Sequence, residues 1–443
     1  MKRRHFFKAG GVAALTAAGI TNAKAAGHAA KPSMEPITIT NIKVIMTMPE
    51  GSHLCVVKVE TSDPGLYGWG CATFTQRALT VKTALEEYLI PFMIGKNPDN
   101  IEGLWQSMYV SSYWRNGPVL NNAISGIEMA LWDIKGKRAG MPVYQLLGGK
   151  ARFAADLYAH GSGSTFEEVE DSVRSWMEKG YRHVRAQLSP RKGGSYGSGA
   201  FDPKKYPNLP HGTQLFEPDK YTKTIPKMFE HLRDKLGFDV HLLHDTHERI
   251  TNAQALYLGK ALEPAELFFW EDALSPESVD FFKQLRAHTI TPIAMGELFN
   301  NPNEWRDIVK NQYIDFIRVH LSQIGGLLPG RKLAAFCEPF GVRTAWHGPG
   351  DNSPIGHAAG IALDLCCQNF GIQEQHIFNQ RAQDIFQGCL KIENGYCYAN
   401  ETPGWGIEVD EELAKKTPYN RGGTSFDYHW GQTRKPDGSI IKP

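Results

Sequence analysis

Strand-like apolar segments alternate with amphipathic segments over more than 200 residues in the second half of this chain. The apolar segments are YRHVRAQ, FDVHLLHD, LFFWED, PIAMGE, FIRVH and VRTAWHG, and stretches such as TNAQALYLGKALEP and SVDFFKQLRAH separate them. This alternation predicts parallel strands joined by helices, for which a closed barrel is the commonest single-domain solution at this length. We therefore predict a β/α barrel over residues 151–395. Its long insertion, residues 189–215, is expected to be either a lid or a disordered segment.

A different pattern precedes the predicted barrel. Residues 37–60 contain the strand-like runs ITITNIKVIMTM and LCVVKVE, and LYGWGCATF follows after a turn. Residues 79–147 have helical periodicity, as in AISGIEMALWDIKGKRAG. The sequence thus predicts an α+β domain over residues 36–150, with a C-terminal segment, residues 396–443, that returns to it.

The first 25 residues differ in composition from everything after them. Arg3-Arg4-His5-Phe6-Phe7-Lys8 precedes a weakly apolar Gly/Ala-rich run, and Ala23-Lys24-Ala25 fits a small-x-small cleavage site. The arrangement resembles a bacterial twin-arginine export signal, and the alternative is a disordered basic terminus. We expect export to the periplasm with cleavage near Ala25. The Gly/Ala-rich run is too short and too weakly apolar to span a bilayer permanently. No membrane span is expected in the mature chain.

Charge and cysteine content narrow the class of protein. The net charge is +1, from 48 basic and 47 acidic residues, which gives no electrostatic footprint for nucleic acid or a membrane surface. Nucleic acid is therefore not an expected partner. The seven cysteines form no C-x-x-C pair, and we expect thiols in the core rather than disulfides.

Three predicted barrel strands end in an acidic residue: Asp245, Glu271 and Glu297. Successive members lie 26 residues apart, which is the length of one β-α unit. Equivalent strands would place the three carboxylates on the C-terminal rim, where catalytic groups of barrels collect. Carboxylate oxygens with room for water and substrate suit Mg²⁺, whereas the alternative is that each residue caps the following helix. We predict one Mg²⁺ per subunit, with Mn²⁺ as the alternative ion.

Further polar residues accompany the later strands. Arg318 lies within FIRVH, His347 ends TAWHG, Asp351 follows in the same loop, and Glu374 lies in GIQEQ. Each has a structural explanation when taken alone, such as a salt bridge for Arg318 or a core position for His347. Together they predict a lining for the same rim that suits a polyhydroxy carboxylate.

The motif D-x-H adds a histidine to the predicted metal site. Asp245 and His247 are alternate residues at a strand end, so both side chains could point at one ligand. His247 is either a further metal ligand or a proton donor. Because three carboxylates are available for the ion, we favour the proton donor.

These motifs resemble the enolase superfamily, and within it the mannonate dehydratase branch. The most specific matches are YWRNGPV, MALWDIKGKRAGMPVYQLLGGK, LLHDTH, WED, GE and HGPGD. The resemblance implies an α+β capping domain followed by a modified (β/α)₇β barrel. Other branches carry K-x-K on the second barrel strand, where this sequence has Arg185-Ala186-Gln187. The difference argues against racemase and cycloisomerase activities and matches the Arg-x-Gln of the mannonate branch.

The resemblance also implies roles for individual residues. Arg185 is expected to activate a tyrosine in the following loop; Tyr196 occupies that position after one missing residue, and Tyr206 is the alternative. Thr75 stands where the family usually has a substrate-contacting asparagine, and the tail DGSIIKP lacks the terminal tryptophans of the family. The implied substrate-binding set is Thr75, His160, Arg318, His347, Asp351 and Glu374.

We therefore expect a Mg²⁺-dependent dehydratase that acts on an aldonic acid of the D-mannonate or D-gluconate type. Tyr196, with a pKa lowered from about 10 by Arg185, would take the C2 proton. His247, on the other side of the substrate, would protonate the departing C3 hydroxyl, and a 2-keto-3-deoxy acid would result. The alternative is a non-catalytic sugar-acid binder or regulator on the same scaffold. A homo-oligomer is expected by analogy with other barrel enzymes.

Overall fold

The computed structural model describes residues 35–190, 194–420 and 429–442. The predicted export signal, with its cleavage site near Ala25, lies outside these residues and stays a prediction. Within the described ranges, no helix has the length and apolar character needed to cross a membrane. The seven cysteines are free thiols, and most are buried.

The sequence forms short strands and helices in close alternation. The described strands are β1 (Ile39–Thr47), β2 (Leu54–Thr61), β3 (Tyr67–Cys71), β4 (Ala155–Gly163), β5 (His183–Leu188), β6 (Gly199–Ala200), β7 (Gln214–Leu215), β8 (His241–Asp245), β9 (Phe269–Glu271), β10 (Ile293–Met295), β11 (Phe316–Ile317), β12 (Arg343–Thr344), β13 (Gln373–Glu374), β14 (Phe386–Gln387), β15 (Lys391–Glu393), β16 (Tyr396–Tyr398), β17 (Glu408–Val409) and β18 (Thr433–Arg434). The described α-helices are α1 (Ala78–Ala84), α2 (Ile90–Met93), α3 (Ile101–Val110), α4 (Pro118–Ala139), α5 (Val143–Leu146), α6 (Phe166–Glu178), α7 (Pro218–Leu236), α8 (Asn252–Ala261), α9 (Phe282–His288), α10 (Pro302–Lys310), α11 (Leu327–Cys337), α12 (Pro354–Cys366), α13 (Gln380–Ile385) and α14 (Glu411–Ala414).

The capping domain is a three-stranded antiparallel sheet, β1-β2-β3, covered by the long helix α4. Glycines in β3 allow this helix to approach closely, since a Cβ at Gly70 would lie 1.9 Å from the carbonyl oxygen of Gly126. Residues of the C-terminal segment contact this domain. The indole of Trp69 donates to Glu408 at 2.9 Å, and the Trp405 amide donates to Asp133 at 2.8 Å.

The barrel consists of parallel strands in the order β13-β4-β5-β8-β9-β10-β11-β12. A parallel bridge between Thr344 and Phe370 brings the last strand back to the first and closes the ring. The α+β capping domain and the modified (β/α)₇β barrel are therefore confirmed. The alternation of apolar and amphipathic segments did not predict strands β4 and β13. Their sequences, ADLYAHGSG and GIQEQ, are short and contain polar residues and glycine, so they are not recognisable as apolar strands.

The insertion of residues 189–215 has structure of its own. Its described part contributes β6 and β7, which form a small sheet with β18 from the C-terminal segment. The expectation of a disordered segment is therefore wrong for the described part of the insertion. Its strands are held by residues more than 200 positions later in the chain, which the local sequence could not indicate.

Glu128 joins the capping domain to the barrel and provides the first testable prediction. It is fully buried on α4 and accepts hydrogen bonds from the amides of Leu327 and Leu328, at 2.9 and 2.8 Å, at the start of α11. Glu128→Ala should lower the free energy of unfolding by about 2–4 kcal/mol, because two helix amides lose their acceptor inside the protein. Urea denaturation measures this loss. Exposed Glu178 is the control, and an equal loss in Glu178→Ala would contradict the assignment.

Candidate active site

A cavity of about 960 Å³ opens at the C-terminal ends of the barrel strands, beneath residues of the capping domain. Most of the predicted catalytic and substrate-binding residues line it, although they come from separate strands and loops. The predicted residues in its wall are His160, Arg185, Tyr196, His247, Glu297, His347, Asp351 and Glu374.

Strand register places the predicted metal ligands on one rim. Asp245 pairs directly with Glu271 across β8 and β9, and Glu271 pairs with Ala294 on β10, three residues before Glu297. Oxygens of Glu271, Asp272 and Glu297 all lie within 4.8 Å of one another. Asp272 was not predicted as a ligand, although it follows Glu271 directly in the WED motif.

The carboxylates of this rim fit a divalent cation. Oε2 of Glu271 and Oδ1 of Asp272 are buried and have no hydrogen-bond partner among the described residues. Burial and mutual repulsion raise the pKa values of Asp245, Asp272 and Glu297. Buried carboxyl groups that repel one another and leave oxygens unpaired are stabilised by a bound cation, and oxygen donors suit Mg²⁺.

Arg318 has a different position from the one predicted. It is fully buried beneath the rim, where its guanidinium binds Glu271 through Nε and Glu374 through Nη2, the latter at 2.8 Å. Burial raises the pKa of Glu374, but Arg318 and His160 outweigh this effect and hold it well below its usual range. Arg318 therefore orients two carboxylates and is not among the residues that line the cavity.

Thr75 also differs from its predicted role. It is buried and does not line the cavity, whereas its neighbours Phe74, Gln76 and Arg77 do. Thr75–Arg77 forms a single turn of 3₁₀ helix. Successive side chains of such a turn point in different directions, so neighbours of Thr75 can line the cavity while Thr75 is buried. Arg77 is thus a cationic wall residue that the sequence did not single out.

Arg185 lies between the metal rim and the candidate base. Its Nη1 is 3.2 Å from Oδ2 of Asp245, and its Nη2 donates to the Tyr196 hydroxyl at 3.3 Å. This contact agrees with the predicted Arg–Tyr pair. Tyr206 is not among the residues that line the cavity, so the structure favours Tyr196 over the alternative.

The pKa of Tyr196 does not follow the expectation. Burial raises it above its usual value, Arg185 lowers it, and the carboxylates of Asp245 and Glu297 raise it again. The prediction of a net lowering is therefore wrong for the protein without its ion. One guanidinium does not offset burial together with several nearby negative charges.

Tyr196 and His247 do not lie on opposite sides of the cavity. Their rings are stacked with centroids 4.0 Å apart, so both belong to one wall. Both residues have left-handed backbone conformations, with φ of 49° and 53°. Such a conformation is strained for a bulky residue, and strain of this kind clusters at functional sites.

Comparison with known proteins places this geometry in a family. Residues 29–148 match the mandelate racemase/muconate lactonizing enzyme N-terminal domain, and residues 168–413 match the enolase C-terminal domain-like family. A D-galactonate dehydratase family member from Pantoea ananatis is 51% identical over 426 residues, covering 93% of this chain and 100% of the relative. Another such family member, from Enterocloster bolteae, is 50% identical over 415 residues, with 93% and 100% coverage. The chain belongs to the enolase superfamily.

A solved structure extends the likeness to three dimensions. The crystal structure of an enolase from Pantoea ananatis, with bound D-gluconate and Mg, is 51% identical, has a TM-score of 0.86, and covers 92% of this chain and 100% of its own. The predictions of an enolase-superfamily enzyme of the hydro-lyase class with Mg²⁺ as cofactor are thereby confirmed.

The C-terminal segment of this enolase-superfamily chain reaches the site after all. Trp430 lines the cavity and stacks on His247, with ring centroids 4.8 Å apart. The sequence-based conclusion that the tail lacks a tryptophan for the site is therefore wrong. The relevant tryptophan precedes DGSIIKP, in HWGQ, and β18 directly after it fixes its place against the insertion.

Arg249 contacts the backbone and the ring of Tyr196. It is buried, and its Nη1 donates to the carbonyl oxygens of Ser195 and Tyr196 at 2.6 and 3.1 Å. Its guanidinium also lies 5.3 Å from the Tyr196 ring centroid and 5.9 Å from that of Trp430. One side chain therefore holds the strained backbone of the candidate base and its aromatic neighbour.

We expect Arg249→Met to reduce kcat by about 10²-fold, because a shift of about 1 Å in a catalytic group costs that much. Mg²⁺ affinity should be unchanged, which calorimetric titration can measure beside kcat. Arg174→Met, on the outer surface of α6, is the control. Unchanged kcat with only reduced thermal stability would show that Arg249 has no role in placing Tyr196.

Proposed function

We propose that this enzyme dehydrates an aldonic acid of the D-gluconate or D-mannonate type to a 2-keto-3-deoxy acid. The observation that carries the proposal is the meeting, in one cavity, of a carboxylate rim that fits Mg²⁺, the Arg185–Tyr196 pair and His247. The Pantoea ananatis enolase with bound D-gluconate and Mg supports an aldonic acid as substrate.

Asp245, Glu271 and Glu297 are the residues that we propose hold the ion, with Asp272 beside them. When bound, Mg²⁺ supplies positive charge that favours ionisation of the C–H bond next to the substrate carboxylate. Arg318 orients Glu271, because its buried guanidinium contacts that carboxylate directly.

Tyr196 is the proposed base for the C2 proton, and Arg185 stabilises its phenolate through the contact at 3.3 Å. His247 is the proposed acid that protonates the departing C3 hydroxyl. Since the two rings stack on one wall, both proton transfers are proposed to occur from the same side of the substrate. His160, His347 and Asp351 line the remaining cavity and can bind the substrate hydroxyls.

A panel of aldonic and uronic-derived acids tests the proposal. The purified enzyme with Mg²⁺ should form a 2-keto-3-deoxy acid from D-gluconate or D-mannonate, detectable by a colorimetric assay for the keto acid. Turnover in ²H₂O should also place deuterium at C3 of the product, because the enol left by loss of water takes a solvent proton there. Saturable binding of every acid without product would contradict the proposal and favour a sugar-acid-binding protein.

The two C2 epimers provide a finer test. Their C2 hydrogens point in opposite directions, and the structure has both proton-transfer groups on one wall. We therefore expect a strong preference for one epimer, measured as the ratio of kcat/KM values. Equal values would require a base on the opposite wall and would contradict the one-sided arrangement.

A further inference from the structure

Two histidines and an aspartate form a second group of ligand-type side chains beside the carboxylate rim. His320 and His347 each follow a barrel strand by three residues, and Asp351 lies in the loop after His347. One donor atom from each residue lies within 4.8 Å of the other two. We call these three residues the His–His–Asp cluster.

The register of two adjacent parallel strands brings the histidines together. Ile317 pairs with Thr344 across β11 and β12. The pairing continues beyond the strands, where the amide of His347 donates to the carbonyl oxygen of Val319 at 3.2 Å. The rings of His320 and His347 therefore lie side by side, with centroids 5.4 Å apart. The barrel itself thus fixes two of the three members of the cluster.

Each member of the cluster has a buried polar atom without a hydrogen-bond partner among the residues that the structure describes. These atoms are Nε2 of His320, Nδ1 of His347 and Oδ1 of Asp351. His320 is only 1% exposed, so its unpaired nitrogen lies inside the protein. Buried polar atoms that remain unpaired cost free energy, and a bound ion is one way to satisfy them.

The opposite nitrogen of each imidazole ring lies near an oxygen that can accept its proton. Nδ1 of His320 is 2.9 Å from Oγ of Ser322, and Nε2 of His347 is 3.3 Å from Oε2 of Glu297. When these nitrogens donate to the two oxygens, Nε2 of His320 and Nδ1 of His347 keep the lone pairs that a cation needs. A histidine that binds a metal usually donates its other ring N–H in this way, which fixes its tautomer and orientation.

We propose that Nε2 of His320, Nδ1 of His347 and Oδ1 of Asp351 bind a second cation, a transition-metal ion such as Zn²⁺. Two nitrogen ligands favour such an ion over Mg²⁺, which prefers oxygen. Three protein ligands leave a fourth coordination position for water or another ligand. His347 and Asp351 line the large cavity, so this position is accessible from the cavity.

The second cation site shares residues with the proposed substrate site. In the proposed function, His347 and Asp351 bind substrate hydroxyls, and a cation held by the cluster makes both groups unavailable to the substrate. Zn²⁺ should therefore inhibit turnover in competition with the sugar acid. This consequence rests on the proposed function, whereas binding of the cation does not.

Calorimetric titration of the full chain with Zn²⁺, in saturating Mg²⁺ and without substrate, tests the site. Saturating Mg²⁺ keeps the carboxylate rim occupied. The wild-type protein should bind one tight equivalent of Zn²⁺, and His320→Gln should weaken this binding at least about 100-fold. Ser322→Ala should weaken it about 10-fold, since loss of a hydrogen-bond partner outside the ligands costs about 10–100-fold in metal affinity.

Two further variants keep this test specific. His288→Gln, at an exposed histidine of α9, is the matched control and should leave the tight equivalent unchanged. Asp351→Asn removes a ligand from a loop rather than from beside a strand, and it decides the question if His320→Gln does not fold. Retained Mg²⁺ affinity verifies that each variant is folded. Absence of a tight equivalent in the wild-type protein, or its survival in Asp351→Asn, would overturn the proposal.

Inhibition kinetics locate the Zn²⁺ ion relative to the carboxylate rim. A higher concentration of the sugar acid should relieve the inhibition, whereas a higher concentration of Mg²⁺ should not. Relief by Mg²⁺ alone would place Zn²⁺ on the carboxylate rim and overturn the proposal. The Zn²⁺ titration needs no substrate, so its failure is distinguishable from a failure of the proposed function.

Discussion

Glu271→Gln should reduce kcat/KM by about 10³–10⁴-fold and remove the dependence of activity on Mg²⁺. A neutral amide cannot bind the cation as a carboxylate does. A metal ion stabilises the charge of a transition state by several kcal/mol, and each 1.36 kcal/mol changes the rate about tenfold. The change also removes one of the two carboxylate partners of the buried Arg318 guanidinium. Steady-state rates measured over a Mg²⁺ titration provide the test.

Glu277→Gln is the matched control for this substitution. Glu277 lies six residues further along, and its side chain is 70% exposed and paired with Lys442. Its replacement should leave the Mg²⁺ titration unchanged. Robust turnover of Glu271→Gln without metal would refute the proposed metal site.

The same titration separates Asp245 from Asp272 as a ligand. We expect Asp245→Asn to weaken Mg²⁺ binding more than Asp272→Asn, because Asp245 pairs directly with Glu271 at the strand ends. Asp272 nevertheless offers an oxygen within 4.8 Å of both Glu271 and Glu297. The reverse order of affinities would therefore assign the third carboxylate to Asp272.

The second large effect is expected at Tyr196. Tyr196→Phe should reduce kcat by about 10²–10⁴-fold, the range attributed to a general base, while Mg²⁺ affinity is retained. The aromatic stacking on His247 survives this substitution, so the loss reports the hydroxyl rather than the packing.

Tyr206→Phe is the control for the base, because both tyrosines belong to the same insertion. Tyr206 lies away from the cavity lining and contacts Lys205, so its replacement should leave kcat within about twofold. If Tyr206→Phe loses activity and Tyr196→Phe does not, the assignment of the base is reversed.

The barrel and the rim of carboxylates followed from local sequence. Asp245 and Glu271 end apolar strands and Glu297 follows β10 by two residues, and parallel strands bring their carboxyl ends to one edge. Regular spacing was sufficient to predict that Asp245 and Glu271 are neighbours and that Glu271 and Glu297 have oxygens close to each other. Their chemistry could also be anticipated, since carboxylate ligands suit Mg²⁺ wherever they converge.

The remaining errors concern the direction of side chains and the partners of distant segments. Arg318 was correctly placed near the end of its strand, but sequence alone could not show that its guanidinium binds Glu271 and Glu374. Thr75 was likewise predicted to contact the substrate, but it is buried and is not among the residues that line the cavity. Trp430 was overlooked because its position depends on pairing between β18 and β7, strands separated by more than 200 residues.

The pKa of Tyr196 was misjudged for a similar reason. The Arg185–Tyr196 pair is visible as a motif, whereas burial and the field of Asp245 and Glu297 depend on the whole fold. The contact with Arg185 therefore predicted correctly that this residue lowers the pKa of Tyr196, but it could not predict the direction of the total shift.

The small sheet of β6, β7 and β18 has a consequence for how the enzyme is made. It joins the loop that bears Tyr196 to a segment more than 200 residues further along the chain, and Trp430 lines the cavity just before β18. The strands of the barrel all precede β18 in the chain, so synthesis supplies them before it supplies the residues that complete this wall. The proposed proton-transfer pair therefore gains its aromatic neighbour only after β18 has left the ribosome.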